Sequence, residues 1–574
     1  MGVCVLVDEL NRLRKSSGDS IDSDKKFDDF KKYIHVKREI EDDLKEILRN
    51  VNKARRKTLV LLCGSAGDGK SHMLSYLKNV DEEHLLDNYR IHNDATESSA
   101  PNKTAIDTLN EVLSDFSDEN INKPGRNLIL AINLGVLNNF IESQYGDNFK
   151  TLRKYVSNHY ILSTKIIDNN YDETSSIQHI SFADYQLYSL TEKGADSQYI
   201  ETLFERVFNS AKENPFYRAF CKGCNQCSMQ TKCPVRYNYL FSSSHSIQQY
   251  VTKLLIMTII KKKEILTTRE ILNYFYDITV PQNFTYTRLA KIIPNDALLK
   301  NFLYGMTPSL IFEQEGVTTI MDHVRENDPL LYRNEKSDDF AVEYNVSTDV
   351  SQIIKEDVDK TIYNDYLSSP DLLQIANSDK EIKSIFFRCI VRLNAMNNNC
   401  VTDSIYENYV KLLFYYNSGK QRQLGILYNS VKHALLQWCG TDGDDHACID
   451  SQNEIYSLYE RIEFKPDLSC IPQEKNEERF HRFLPELIVG FKNGNEEAAA
   501  TLHIDFPLFQ MINNLNNGYI HTVEDESNFT DFTSFITRVL RSGNSDQEVF
   551  IVDRNGKRSS LIRTDFGYEF EVMK

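Results

Sequence analysis

A loop that could bind phosphate combines three glycines with a lysine and a serine in the Walker A spacing: Gly64-Ser65-Ala66-Gly67-Asp68-Gly69-Lys70-Ser71. Glycines allow backbone N–H groups to turn inward around a phosphate without Cβ clashes. Lys70 is expected to reach the β- and γ-phosphates of a nucleotide, and the Ser71 hydroxyl is expected to coordinate Mg²⁺. Residues 64–72, which end at His72, are therefore predicted to bind ATP and Mg²⁺.

Hydrolysis also needs an aspartate for Mg²⁺ and a group that orients the attacking water. The segment that begins at Tyr89 offers Asp94 for Mg²⁺ and Glu97 as a possible base. This segment is only weakly apolar for a buried strand, so Asp94 could instead cap the turn that follows it. Both roles stay open for Asp94.

Two further side chains could act on the γ-phosphate. Asn133 follows the apolar run 128–132 and could hydrogen-bond the γ-phosphate or the attacking water, as sensor 1 does in AAA+ ATPases; its alternative is a plain turn asparagine. Arg269 begins a predicted helix that resembles the lid of an AAA+ module, where an arginine reaches over the nucleotide; its alternative is an exposed helix end. The candidate catalytic residues are therefore Lys70, Asp94, Glu97, Asn133 and Arg269.

Four cysteines within 13 residues form a second candidate site: Cys221, Cys224, Cys227 and Cys233. Zinc favours four tetrahedral sulfurs and stabilises the fold that supplies them. An iron–sulfur cluster accepts the same ligands, and the trailing Cys233-Pro234 is typical of ferredoxin loops, although the last spacing is five residues instead of three. Unligated thiols are the third possibility. A metal here is expected to be structural, because four thiolates leave no open coordination position.

The sequence on either side of the loop predicts the elements that must position it. The continuous apolar run Thr58–Cys63 predicts a strand buried on both faces, and a helix is predicted after the loop. Further strands are predicted at 128–132 and, more weakly, at 179–182, with helices near 104–116 and 150–162 between them. Strands that alternate with helices predict a parallel α/β sheet.

The predicted fold is an α/β P-loop NTPase of AAA+-like (ASCE) type, with a parallel sheet, a helical lid, a helical middle region and a C-terminal α+β module. Apolar runs on either side of Asn555-Gly556 predict a β-hairpin in that last module. The predicted divisions are a helical lead-in over 1–57, the P-loop domain with the cysteine insert over 58–250, a lid-like region over 251–348, a helical domain over 349–440 and the α+β module over 441–574.

Composition excludes several classes of protein. The chain has 574 residues, with 66 Lys and Arg against 83 Asp and Glu, so its formal net charge is −17. This balance argues against a protein that coats DNA through a broad basic surface, and leaves open a local basic groove or a basic partner subunit. No apolar run is long enough for a membrane helix, and no signal peptide is evident. Eleven cysteines, an odd number, favour a reducing compartment, and a cytoplasmic protein is expected.

The motifs together resemble one family. The loop with its flanks from Leu61 to His72, the segment Asn93–Thr96, the segment Ala131–Gly135 and the cysteines that end at Cys233-Pro234 are similar to those of the DptF family. These proteins are the P-loop components of the DNA phosphorothioation-dependent restriction systems (DptFGH). The similarity extends over roughly the first 350 residues.

The resemblance implies an ATPase in a bacterial defence complex that restricts DNA lacking phosphorothioate modification. Its companions would be DptG and DptH, with DNA reached through the complex, and homo-oligomers are possible. No nuclease motif is recognisable, so cleavage is expected in another subunit.

Two alternatives of other classes stay open. The weak segment around Asp94 is also compatible with a metal-stapled scaffold or adaptor that has a vestigial nucleotide site. A small-molecule kinase is less favoured, because the long extension after residue 250 has no recognisable acceptor pocket.

Overall fold

The computed structural model describes residues 4–15, 28–54, 56–65, 67–93, 104–162, 171–292, 295–332, 335–347, 362–367, 374, 377, 379–399, 403–442, 446–450, 455–462, 464–492, 500–541 and 547–572. The chain forms two compact units. The first spans Met1–Tyr188, Asp196–Ile259 and Lys263–Thr402, and the second spans Ser189–Ala195, Ile260–Lys262 and Asp403–Lys574. Their boundary before Asp403 falls inside the helical segment predicted to end at residue 440. The five-part division stays a prediction.

A four-stranded parallel sheet organises the beginning of the first unit. Its strands are β1 (Leu59–Cys63), β2 (Tyr89–His92), β3 (Asn127–Ile132) and β4 (Ile177–Ser181), in the order β2-β3-β1-β4. β1 pairs with β3 from Leu59 opposite Leu128 to Cys63 opposite Ile132, and with β4 on its other side. The prediction of a parallel α/β sheet is confirmed.

Helices form most of the rest of the first unit. They are α1 (Val5–Lys15), α2 (Asp29–Ile34), α3 (Glu39–Lys53), α4 (Lys70–Asn79), α5 (Ala105–Leu113), α6 (Leu134–Ile141), α7 (Lys150–Asn158), α8 (Gln198–Phe208), α9 (Pro215–Cys224), α10 (Pro234–Ser242), α11 (His245–Lys262), α12 (Thr268–Asp277), α13 (Tyr286–Leu289), α14 (Asn295–Gly305), α15 (Thr307–Phe312), α16 (Thr319–Arg325), α17 (Glu335–Val346), α18 (Asn364–Leu367) and α19 (Lys380–Asn397).

The sheet is covered on both faces, which explains why β1 is continuously apolar. Val60 and Leu62 belong to one core with the apolar face of α3 and with α4. Leu59 and Leu61 belong to another core with α5, α6 and α7. Successive side chains of a strand point to opposite faces, so all five residues of β1 are buried.

The second unit contains most of the antiparallel strands. Its elements after residue 403 are α20 (Ser404–Asn417), α21 (Gly425–Cys439), β7 (His446–Asp450), β8 (Tyr456–Arg461), β9 (Lys465–Pro466), β10 (Arg479–Phe480), β11 (Leu487–Lys492), β12 (Ala500–Ile504), α22 (Phe506–Asn516), α23 (Val523–Asn528), α24 (Thr530–Leu540), β13 (Glu548–Asp553), β14 (Arg558–Thr564) and β15 (Gly567–Val572). Two short strands, β5 (Ser189–Thr191) and β6 (Gly194–Asp196), precede α8, and β10 pairs with β5.

The predicted hairpin is confirmed, because β13 and β14 pair antiparallel on either side of Asn555-Gly556. The short strands β5 and β6 follow the last strand predicted for the P-loop domain and were not themselves predicted. Within the described ranges, no helix combines the length and the apolar character needed to cross a membrane.

Candidate nucleotide site

The glycine loop lies at the carboxyl end of β1, between that strand and α4. Gly67 and Gly69 have φ values of 91° and 97°, in the left-handed region that L side chains rarely adopt. Gly69 directly precedes α4, and its carbonyl accepts the hydrogen bond of the Met73 N–H at 2.8 Å. The glycines therefore allow the abrupt change from strand to helix that the Walker A spacing predicts.

Lys70 is the first residue of α4, and its side chain folds back over the loop. Its Nζ donates to the carbonyl oxygens of Gly64 and Ser65 at 2.7 and 2.5 Å. Ser71 follows within the same first turn. The ammonium group thus lies beside the backbone that precedes the helix, and the positive end of the α4 dipole points the same way.

Asp68 brings a carboxylate into the same loop. Its Oδ2 accepts a hydrogen bond from the Ser65 N–H at 2.5 Å and lies 2.7 Å from the position of a Cβ on Gly64. Burial raises the pKa of Asp68 above its ordinary value, while Lys70 and Arg38 act in the opposite direction. Ala66, the remaining member of the predicted loop, lies outside the described residues.

Arg38 reaches the loop from the start of α3. Its guanidinium donates to the Asp68 carbonyl at 3.2 Å and to the Tyr185 carbonyl at 3.3 Å. It also lies over the rings of Phe182 and Tyr199, at 4.9 and 5.4 Å from their centroids. Burial lowers the pKa of Arg38. Arg38 therefore connects the glycine loop to the segment that follows β4.

His72 was predicted as the last residue of the loop, and its ring contacts a histidine before α3. Its Nε2 lies 3.1 Å from His35 Nδ1. The His35 ring in turn stacks on Tyr76, with centroids 3.7 Å apart, and lies 3.3 Å from Glu41. Burial lowers the pKa of His72 to about 4, so the ring is neutral at neutral pH. These contacts connect α4 to the N-terminal lead-in.

Asn133 lies at the same edge of the sheet as the loop. The Gly64 N–H donates to the Ile132 carbonyl at 3.1 Å, so the residues that follow β1 and β3 are neighbours. The Asn133 Oδ1 accepts from the Gly135 N–H at 2.8 Å and thereby caps α6. Asn133 therefore lies beside the loop as the cap of α6, and its action on the γ-phosphate or on water stays a prediction.

The helix that carries Arg269 begins against the glycine loop, about 200 residues later in the sequence. A Cβ on Gly67 would lie 3.1 Å from the Thr267 side chain. Thr267 caps α12 through a reciprocal capping box with Glu270, and Arg269 is exposed in the same first turn. The structure thus brings the start of α12 to the loop, and the role of Arg269 stays a prediction.

Asp94 and Glu97 lie outside the described residues, which stop at Asn93 after β2. Because β3 lies between β1 and β2, the end of β2 is one strand further from the loop than Asn133 is. The role of both acidic residues stays a prediction.

The four predicted cysteine ligands lie around the ends of α9 and α10. Cys224 and Cys233 are buried, and Cys221 and Cys227 are half-buried. Cys224 is the last residue of α9, and Cys233 directly precedes α10. In the part of the chain that the structure describes, no three His, Cys, Asp or Glu side chains are close enough together to hold a metal ion as placed.

Two residues of the site were missed by sequence reasoning. Arg38 is one basic residue in a densely charged lead-in, and nothing in its spacing distinguishes it. Thr267 could have been identified as a helix cap from its Thr-x-x-Glu pattern, but not as a neighbour of Gly67. Both contacts join parts of the chain that are far apart in sequence.

Comparison with known proteins gives no match: no protein-family model, no curated protein and no solved structure matches the chain. Function is therefore argued from the loop and from the residues around it.

Proposed function

We propose that this protein binds and hydrolyses ATP with Mg²⁺ as a P-loop NTPase of AAA+-like (ASCE) type. The observation that carries this proposal is the position of Lys70 in the first turn of α4, directly after a loop with two left-handed glycines, at the carboxyl end of a buried parallel strand. Backbone N–H groups, a lysine and a helix N-terminus together favour a polyphosphate.

The residues present fit ATP and Mg²⁺. A Cβ on Gly69 would meet no described heavy atom within 4 Å, so the backbone is approachable there. Bound ATP and Mg²⁺ would supply the γ-phosphoryl group and the charge that neutralises it. Lys70 would hold the β- and γ-phosphates, Ser71 would contribute its hydroxyl to Mg²⁺, and residues 64–69 would supply N–H groups.

Neighbouring elements support hydrolysis as well as binding. β3 lies between β1, which precedes the glycine loop, and β2, which precedes the Asp94 segment. Asn133 would orient water or the γ-phosphate from the residue that follows β3, and Arg269 lies at the start of a helix that packs against Gly67. Asp94 and Glu97 are proposed to serve Mg²⁺ and the attacking water.

We further propose that the ATPase works in a bacterial DNA phosphorothioation-dependent restriction complex with DptG and DptH as companions. The support is the resemblance of the loop, the Asn93–Thr96 segment, the Ala131–Gly135 segment and the cysteines to the DptF family. The net charge of −17 favours DNA contact through the partners instead of through this chain.

The test compares Lys70→Ala with Lys78→Ala, which removes an exposed lysine near the end of the same helix. We expect Lys70→Ala to reduce ATP turnover by at least about tenfold and to abolish restriction of unmodified DNA, because it removes the charge that holds the phosphates. Lys78→Ala should retain both activities. The measurements are phosphate release and plasmid restriction with the companion subunits.

Three results would discriminate among the functions. Loss of both activities supports the proposal. Restriction that survives Lys70→Ala would favour the scaffold with a vestigial site and contradict the motor. Phosphate that appears on a small acceptor instead of in solution would favour a kinase.

A further inference from the structure

The N-terminal Cys4 lies in the neighbourhood of three of the four clustered cysteines. We propose that Cys4, Cys224, Cys227 and Cys233 bind one zinc ion and that Cys221 is not a ligand. This inference goes beyond the proposed ATPase and does not depend on it.

Helix packing brings the two parts of the chain together. Cys4 directly precedes α1, and Cys224 ends α9. These helices pack closely: a Cβ on Gly223 would lie 3.1 Å from the Val5 Cβ and 3.7 Å from the Leu6 N. The residue beside Cys4 therefore lies against the residue beside Cys224, although about 220 residues separate them in sequence.

The four thiols interact electrostatically with one another, which agrees with the packing of α1 on α9. The Cys4 thiol interacts with Cys227. Cys224 interacts with Cys4, Cys227 and Cys233, and Cys233 interacts with Cys4 and Cys227. Each pair among these four cysteines thus interacts electrostatically.

Cys221 has different neighbours. Its charge raises the pKa of Tyr217. It also acts on Tyr239. Cys221 therefore has tyrosine neighbours.

The local backbone suits thiolate ligands. Cys4 and Cys233 both precede a helix, where backbone N–H groups favour negative charge: those of Leu6 and Val7 act on Cys4, and those of Val235 and Arg236 act on Cys233. Cys224 and Cys227 are joined by a turn in which the Cys227 N–H donates to the Cys224 carbonyl at 3.2 Å. A C-x2-C turn with two further cysteines is typical of structural zinc sites.

Binding must draw these sulfurs together, since no three ligand-type side chains in the described ranges are close enough to hold an ion as placed. Each thiol releases its proton to solvent as it becomes a thiolate. Zn²⁺ and four thiols thus give a tetrathiolate of net charge −2 and four protons. The ion would hold the start of α1 to the end of α9 and the start of α10.

The test measures zinc per chain in purified full-length protein and in three serine variants. We expect about one zinc ion in the wild type and in Cys221→Ser, and less than about a tenth of that in Cys4→Ser and Cys224→Ser. Zinc retained by Cys4→Ser and lost by Cys221→Ser would overturn the ligand assignment. Iron and sulfide bound by the wild type, or no metal at all, would overturn the zinc assignment.

A second measurement does not require Cys4→Ser to fold. Cobalt is exchanged into the wild type and Cys221→Ser, and the thiolate-to-cobalt absorption is compared. Equal spectra of a tetrahedral four-thiolate site support the proposal, because Cys4 is then the remaining partner of Cys224, Cys227 and Cys233. A spectrum of lower thiolate number in Cys221→Ser would contradict it.

Discussion

Asp68 places a carboxylate within the loop that is proposed to hold the phosphates of ATP. It accepts the Ser65 N–H, which is the kind of donor that a phosphate oxygen also needs. Burial raises its pKa, which shows that the charged form is disfavoured in this position despite Lys70. The carboxylate and a bound phosphate would therefore compete for donors and repel each other.

We predict that Asp68→Asn tightens ATP binding by about fivefold, or about 1 kcal/mol, because the amide removes the charge while its oxygen can still accept from Ser65. Titration with a fluorescent ATP analogue measures the change. Asp87→Asn, at an exposed side chain outside the loop, serves as the control. Equal or weaker affinity in Asp68→Asn would show that the carboxylate does not compete.

The pH dependence of this effect follows from the direction of the pKa shift. An aspartate with a raised pKa in the folded protein carries its charge only above that pKa, and the cost of the buried charge is fully present there. As pH falls through the raised pKa, wild-type Asp68 becomes neutral. The difference in affinity between wild type and Asp68→Asn should therefore shrink, starting at a higher pH than for an ordinary aspartate.

At the scale of elements, α12 and the glycine loop are held in direct contact. Gly67 and Gly69 have similar positive φ values, but only Gly67 lies against Thr267. Substitutions at the two glycines can therefore distinguish the effect of backbone strain from the effect of steric contact. Alanine at either position is strained, whereas alanine at Gly67 must also displace the start of α12.

We predict that Gly67→Ala lowers the free energy of unfolding by about 1–2 kcal/mol more than Gly69→Ala does. Chemical denaturation without nucleotide measures both, so that contacts with phosphate do not enter. Gly69→Ala is the matched control for strain. Equal destabilisation would mean that α12 is not held against the loop in solution.

Elements defined by local pattern could be predicted from the sequence. β1, β3 and the hairpin of β13 and β14 were located closely, because burial on two faces or an Asn-Gly turn leaves a strong local signature. The parallel arrangement followed from the alternation of strands and helices. The short strands β5 and β6 were missed, since three residues carry too little periodicity.

The candidate site was only partly predictable for the same reason. The loop residues are consecutive, so their spacing alone identified them. Helix packing brings together segments that are far apart in sequence, and it positions Arg38, Thr267 and Cys4. A local sequence pattern does not predict such contacts. The segment after β2 gave a weak signal in sequence and lies outside the described residues.

For the whole molecule, the excess of acidic residues predicts how turnover depends on partners. With a net charge of −17, the chain is not expected to attract DNA phosphates strongly by itself. We predict that the isolated chain hydrolyses ATP slowly and that the proposed companion subunits or DNA raise the rate by at least about tenfold, through groups that they bring to the nucleotide. Phosphate release by the chain alone, with DNA, with companions and with both tests this; equal rates in all four would contradict it.

The order of the strands has a consequence for how the protein is made. β1 lies in the middle of the sheet, but its partners β3 and β4 end 69 and 118 residues after it, at Ile132 and Ser181. During translation the glycine loop therefore leaves the ribosome long before both strands that pair with β1 have been synthesised. The packing of α1 is completed later still, because α1 packs on α9 and α12. During synthesis β1 lacks its last sheet partner until Ser181 has emerged, and α1 lacks α12 until Asp277 has emerged, so chaperones would have most to protect in this interval.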